Sequence, residues 1–171
     1  SVRAGMTVAH ARSLLRGCTV HVEPYAPDKD VRHLRGLAQW ALRFSPIAAP
    51  DDPDGLLMDI AGCAHLYGGE RKLAERVAVS LQKLGFDAKL AIAPTFACAQ
   101  AVSLCGNDRI TLIDNDAVRE MLSPLPIEAL RVEAATCTAL EEIGIERIGQ
   151  LLDLPRAELS TRFGSELIRR M

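Results

Sequence analysis

The stretch Asp51-Asp52-Pro53-Asp54-Gly55-Leu56-Leu57-Met58-Asp59-Ile60-Ala61-Gly62 decides how this chain folds. Asp, Pro and Gly crowd into its first five positions, and such a cluster ends one extended segment and starts another. Leu56 to Ala61 then reads as a strand, and Pro46 to Ala49, on the near side of the turn, as a short extended run. The pair is a hairpin with an acidic tip. Asp51, Asp52 and Asp54 lie in the turn, and Asp59 sits inside the second strand. Carboxylates on adjacent strands are how two-metal enzymes hold magnesium for phosphoryl transfer. They are equally the ordinary residues of a turn, and the stretch by itself leaves both readings open.

Working outward, Met6 to Leu15 reads as a short helix and Thr19 to Val22 as a β-rich run closed by Pro24. Asp28 opens a helix to about Arg43, with Val31, Leu34, Leu37, Ala38, Ala41 and Leu42 on the helical period. Beyond the hairpin, Gly68-Gly69 precedes an amphipathic helix from Glu70 to Leu84, with Gly85 at its C-terminal end. Ala88 to Ala93 reads as a strand, and Thr95 caps an Ala-rich helix through Leu104. Ile110 to Ile113 is a further strand and Asp116 to Leu122 a short helix. Between residues 19 and 93 the order is strand–helix–strand–strand–helix–strand. That is the ferredoxin-like split βαβ arrangement, an antiparallel sheet with two helices on one face, and it makes the class α+β.

After Pro124 and Pro126 no strand candidate remains, and short helical segments break at Gly144, Pro155 and Gly164. A boundary is expected near Ser123 to Ile127, with a small all-helical module behind it. Ala134 to Ile143, Gly144-Ile145 and Ile148 to Leu154 read helix, tight turn, helix. This is the spacing of a helix-hairpin-helix element, whose hairpin amides grip a DNA phosphate. A plain packing pair of helices has the same pattern.

Composition narrows the function classes. The 171 residues are 49% hydrophobic, too apolar for a disordered chain. No run of eighteen apolar residues occurs, so no membrane span is expected. With 20 Lys and Arg against 22 Asp and Glu the net charge is −2, which excludes a generically basic nucleic-acid binder. Residues 1–45 are locally +4, residues 46–123 are −4 and residues 124–171 are −2. The five cysteines include no CxxC pair and suit reduced thiols in the cytosol. The four histidines are scattered without ligand spacing, and Gly68-Gly69 runs straight into Glu70, which would repel an anion. The chain starts at Ser1 without an initiator Met and reads as part of a longer one.

Taken together in order, four segments resemble the Y-family translesion DNA polymerases. Val2-Arg3-Ala4-Gly5-Met6 with Ala9 and Ala11-Arg12 resembles the family's V-[KR]-x-G-M run. Phe44-Ser45-Pro46 followed by Pro53 to Ile60 resembles the S-x-D-E-x-x-L-D catalytic hairpin. Leu90 to Ala93 with the Ala-rich helix resembles the segment ending N-K-x-x-A-K. Ala139 to Ile145 with Ile148 to Leu151 resembles the thumb's L-x-x-[LI]-G-I motif. Trp40, the run Ala64 to Glu70 and the run Leu151 to Ala157 are most similar to the ImuB-type, polymerase-like members. The resemblance covers essentially the whole chain. It implies a fingers-to-palm remnant over 1–17, a palm over 18–123 and a thumb over 124–171. It also implies that the family's first strand, with its first metal-binding Asp, lies before Ser1.

The departures from the family pattern carry the functional expectation. Where active members have an adjacent Asp-Glu pair, this chain has Asp54 and Gly55. Asp54 is then a vestigial catalytic residue and the one remaining candidate metal ligand of the pair, and Gly55 replaces the Glu. The N-K and A-K lysines, which meet phosphates in active members, fall at Thr95-Phe96 and Ala99-Gln100. The thumb's G-[IV]-G falls at Arg131-Val132-Glu133, and its helix-hairpin-helix is degenerate. Arg131, Arg147 and Arg156 are the basic candidates for DNA contact there. The resemblance therefore implies a catalytically degenerate adaptor in damage-induced mutagenesis, cytoplasmic and nucleoid-associated. It implies weak contact with primer-template DNA. It also implies an error-prone replicative-type polymerase, a sliding clamp and an accessory mutagenesis protein as partners, reached through regions outside this chain. That reading expects no cofactor. An active error-prone polymerase, the alternative, would need Mg2+. A helix-hairpin-helix DNA-binding module without catalysis, resting on Arg147 and Arg156, is the remaining reading.

Overall fold

A computed structural model describes residues 2–3, 5–15 and 17–171. Helix α1 (Val8–Leu14) starts at Thr7, whose hydroxyl accepts from the amide of His10. Helix α2 (Pro27–Ala41) buries Leu34, Ala38 and Ala41, one stripe of its surface. Strands β1 (Ile47–Asp51) and β2 (Gly55–Asp59) form the expected antiparallel hairpin, with Asp51 opposite Gly55 and Ile47 opposite Asp59. Helix α3 (Glu70–Lys83) buries Leu73, Ala74, Val77, Ala78 and Leu81. Strand β3 (Leu90–Ile92) leads into α4 (Phe96–Cys105), capped by the Thr95 hydroxyl, and then β4 (Ile110–Leu112). Helices α5 (Val118–Leu122), α6 (Ala134–Glu141), α7 (Ile148–Leu152), α8 (Arg156–Phe163) and α9 (Ser165–Arg170) complete the described chain.

The mixed α/β class holds, but the single ferredoxin-like sheet does not. Thr19 to Val22 forms no strand. Val22 is 46% exposed, and no neighbouring backbone offers this run a ladder. β-propensity describes fit to a half-buried sheet surface and has no effect without one. The remaining strands make two separate two-stranded sheets, β1–β2 antiparallel and β3–β4 parallel. Between them lies a cleft of about 1140 Å³, lined by every residue of β2 and β3 and by Leu37, Trp40, Leu73 and Leu81.

Among the described residues two apolar cores result. The smaller joins Phe44 to Leu73, Val77 and Leu81, with Trp40 packed edge-on against Phe44 at 5.2 Å between ring centroids. The larger runs from Cys98, Ala101 and Val102 of α4 to Ile127, Leu140, Ile148, Leu151, Leu159 and Leu167. Gly149 lets α7 lie on the end of α5, since a Cβ there would sit 2.9 Å from that of Ser123. The five cysteines are free thiols. Burial pushes Cys98, Cys105 and Cys137 above the ordinary thiol value of 9.0, and nearby Glu128 adds to the rise at the last two. Among the described residues no helix is long and apolar enough to cross a membrane.

Candidate functional site

The hairpin has an inert end and a charged end. At its base, buried Ser45 accepts from the Ile47 amide at 3.1 Å, and its hydroxyl donates to the carbonyl of Asp59. The Asp59 carboxylate accepts from the amide of Ala61 at 2.9 Å, which ends β2. Asp59 lies four residues along β2 from Gly55, roughly 13 Å at the usual rise per residue. Asp59 thus takes no part in the acidic cluster at the tip.

At the tip, Arg131 reaches back across the chain. It follows a 3-10 turn over Ile127–Leu130 and has φ 51° and ψ 38°. Among the described residues it is the one non-glycine with positive φ, a conformation that costs an L-residue about 1–2 kcal/mol. Its Nη2 donates to Oδ1 of Asp54 at 2.7 Å. Its Nη1 donates to the Asp52 carbonyl at 2.7 Å and stands 3.5 Å from Oδ2 of Asp51. One planar fork therefore holds two carboxylates and a backbone carbonyl, a geometry that suits guanidinium better than ammonium. Arg131 and Asp51 are 19% and 17% exposed at the side chain, whereas Asp54 is 67% exposed. The Asp54 pair is thus the weaker, solvent-screened arm.

A second link backs Asp51. Gln100, 7% exposed, donates from Nε2 to Oδ2 of Asp51 at 2.6 Å. Its Oε1 accepts from Nη1 of Arg170 in α9 at 3.3 Å. The amide faces a carboxylate on one side and a cation on the other, so each of its ends meets its chemical complement. The hairpin tip, α4, the 3-10 turn and α9 are joined by this one polar chain.

Gly55 explains the shape of the tip. A Cβ at this position would sit 2.9 Å from Oδ2 of Asp51 and 3.1 Å from the Asp51 carbonyl. That carboxylate is already held by Gln100 and Arg131. These residues do not fit a two-metal centre. Gly55 supplies no ligand, and the carboxylates of Asp51 and Asp54 are already bonded to protein cations and amides. Among the described residues no three His, Cys, Asp or Glu side chains come together as a metal site.

The helical turn between α6 and α7 is closed in another way. The amides of Gly144 and Ile145 donate to Glu141 and Leu140. Those of Glu146 and Arg147 both donate to Oε1 of Gln150 at 2.9 Å, and Gln150 Nε2 donates to the Gly144 carbonyl at 3.0 Å. The amides that a phosphate would use are engaged within the turn. The guanidinium of Arg147 bends back to the carbonyl of Pro124, and Arg156 is the exposed first residue of α8. The three arginines singled out in the sequence thus have three different roles in the structure.

Asp51, Gln100 and Arg170 are the site residues that sequence reading did not single out as a group. Gln100 carried a signal, being the one amide in the Ala-rich segment of α4. Arg170 carried no signal toward Gln100, 70 residues before it, and pairs locally with Glu166 as helical neighbours do.

Comparison with known proteins defines the class, a Y-family polymerase-like protein. Residues 1–103 match the model of the IMS: impB/mucB/samB family, and the chain belongs to that family. Protein ImuB of Caulobacter vibrioides (strain NA1000 / CB15N) is 37% identical over 145 residues, covering 85% of this chain and 31% of the relative. DNA polymerase IV of Moorella thermoacetica is 28% identical over 171 residues, covering 95% and 41% respectively. The chain therefore spans well under half the length of these relatives. The crystal structure of DinB from Sulfolobus solfataricus shares the fold, with a TM-score of 0.69 at 17% identity, over 99% of this chain and 50% of that one.

Proposed function

We propose that this chain is the palm (residues 18–123) and thumb (residues 124–171) of a catalytically degenerate Y-family protein, an adaptor in damage-induced translesion synthesis. Residues 1–17 are then the remnant of the fingers-to-palm connection. The observation that carries the reading is the hairpin tip. Phosphoryl transfer of this class needs carboxylates free to converge on metal ions. Here one is replaced by Gly55, and Asp54 and Asp51 are bound by Arg131. The position of a phosphate-contacting lysine is held by Gln100, whose amide is used internally.

In this role the fold supplies surfaces rather than chemistry. The polymerase that extends the primer, the sliding clamp and the accessory mutagenesis protein are partners of the full-length protein. Contact with DNA is weak, because the turn amides are spent and the helical part carries a net −2.

A second reading, an active Mg2+-dependent polymerase, is favoured by the likeness to proteins named DNA polymerase IV. Primer extension by the full-length protein separates the two. With Mg2+ or Mn2+ and all four nucleotides, the adaptor reading expects no extension above background, with or without Asp54→Ala. Extension that disappears with Asp54→Ala overturns it.

A further inference from the structure

We propose that Arg131 is the built-in counter-ion of the hairpin: its guanidinium takes the place that a divalent cation would need between Asp51 and Asp54, and it excludes such ions from the tip. The geometry supports this in three ways. Both carboxylates and the Asp52 carbonyl point oxygen atoms at one guanidinium. These three oxygens are the hard donors that Mg2+ or Mn2+ would choose. Magnesium needs such oxygens at about 2.0–2.1 Å. An ion bridging these three oxygens would occupy the space of the guanidinium, whose Nη2 already donates to the Asp54 Oδ1 at 2.7 Å. Ion and guanidinium compete for that one bridging position, and their like charges repel across it.

The backbone supplies the second support. Arg131 holds a left-handed conformation that glycine would adopt without strain. Such strain persists where surrounding contacts over-determine it, and here the Arg131 amide donates to the Glu128 carbonyl at 3.0 Å while the guanidinium holds the hairpin. The third is the distance in sequence. Arg131 lies 77 residues beyond Asp54, so the cation comes from the helical part and ties it to the tip. Arg170, itself paired with Glu166 at 3.3 Å, steadies the arrangement by donating to the far end of Gln100.

The consequence is a cation requirement met by the protein itself. Removing the guanidinium leaves two carboxylates and a carbonyl facing one another, and the proposal holds that a divalent ion then enters. This deepens the reading of a hairpin without a working metal centre, yet it can fail separately. Nucleotide incorporation tests that reading, whereas cation binding without nucleotide or DNA tests this one.

The experiment is Mn2+ binding to the 171-residue chain, followed by electron paramagnetic resonance of the free ion and by line broadening in amide spectra. Wild type is expected to bind Mn2+ no better than Asp54→Asn. Arg131→Gly, which removes the fork and suits the backbone, is expected to bind at least tenfold more tightly than wild type, with broadening centred on residues 51–55. Adding Asp54→Asn to that variant should abolish the gain. Arg131→Lys should still exclude the ion. Folding of each variant is checked by circular dichroism. If folded Arg131→Gly gains no Mn2+ affinity, the proposal is wrong. Should Arg131→Gly fail to fold, wild type and Arg131→Lys decide. Asp54-dependent Mn2+ binding by either overturns the proposal, and its absence from both, with Arg131→Lys folded, upholds exclusion by a protein cation.

Discussion

Two glutamines close two turns of this protein, and they do so in opposite ways. Gln100 is buried in α4 and bridges Asp51, 49 residues before it, to Arg170, 70 residues after it. Gln150 is exposed in α7 and satisfies amides and a carbonyl three to six residues before it. The first network is tertiary and exists only when hairpin, α4 and α9 have come together. The second is local, close in logic to an N-terminal helix cap, and forms as soon as the turn does. Both occupy groups that could otherwise bind charge: carboxylates at the hairpin, amides at the helical turn. A site for ions or phosphates can thus be closed at long range by packing or at short range by capping, and the two closures should differ in energy and in reach.

The contrast is most severely tested at Gln100. Gln100→Leu keeps the volume and removes the donor to Asp51, so a largely buried carboxylate loses one of its partners. Losing a hydrogen bond to a charged group of this kind costs about 2 kcal/mol. For a chain of this size that is roughly 4–8 °C in Tm, measured by thermal unfolding. The loss should also spread, with amide hydrogen exchange rising in β1 and α9 together. Exchange confined to α4 would show that the network does not join these elements.

Next comes Gly55→Glu, the change that introduces the carboxylate the family resemblance leads one to expect here. The new Cβ lies within 2.9 Å of an Asp51 oxygen that Gln100 and Arg131 both hold, so the side chain cannot move away freely. About 1–2 kcal/mol of stability should be lost, within the usual cost of overpacking, and chemical denaturation reads it. No primer extension should be gained, because the carboxylates beside it stay bound to Arg131. Gly55→Ala, with the same Cβ but no charge, should account for most of the loss. If it is neutral, the crowding argument fails and charge repulsion with Asp51 remains as the cause.

The same division explains what could be read from the sequence. The hairpin, α2, α3, α4 and the run of short C-terminal helices follow from periodicity, capping residues and the Asp-Pro-Asp-Gly turn, all of which act over a few residues. The supposed strand at Thr19 to Val22 failed because a strand is made by its neighbour, which sequence does not display. Asp54 and Gly55 stand out in the sequence against the motif the chain resembles. Their closure by Arg131 does not, since the φ of Arg131 and its partners 77 and 79 residues back depend on the packing of the helical part against α4. Asp59 looked like a member of the acidic cluster because it is close in sequence, yet the rise along the strand carries it to the other end of β2.

The smallest effect belongs to Gln150. Gln150→Ala strips the acceptor from the Glu146 and Arg147 amides, but this turn is exposed and water can replace what is lost. About 1 kcal/mol is expected, the ordinary value of a lost cap, and the increase in hydrogen exchange should stay within residues 144–150. The same variant frees two adjacent amides at the start of α7. If spent amides are what keep this turn from gripping phosphate, Gln150→Ala should bind a short duplex more tightly than wild type at low salt, by a few-fold, with the gain lost as salt rises. If affinity does not change, the local negative charge of Glu141, Glu142 and Glu146, rather than the capping by Gln150, is what turns phosphate away.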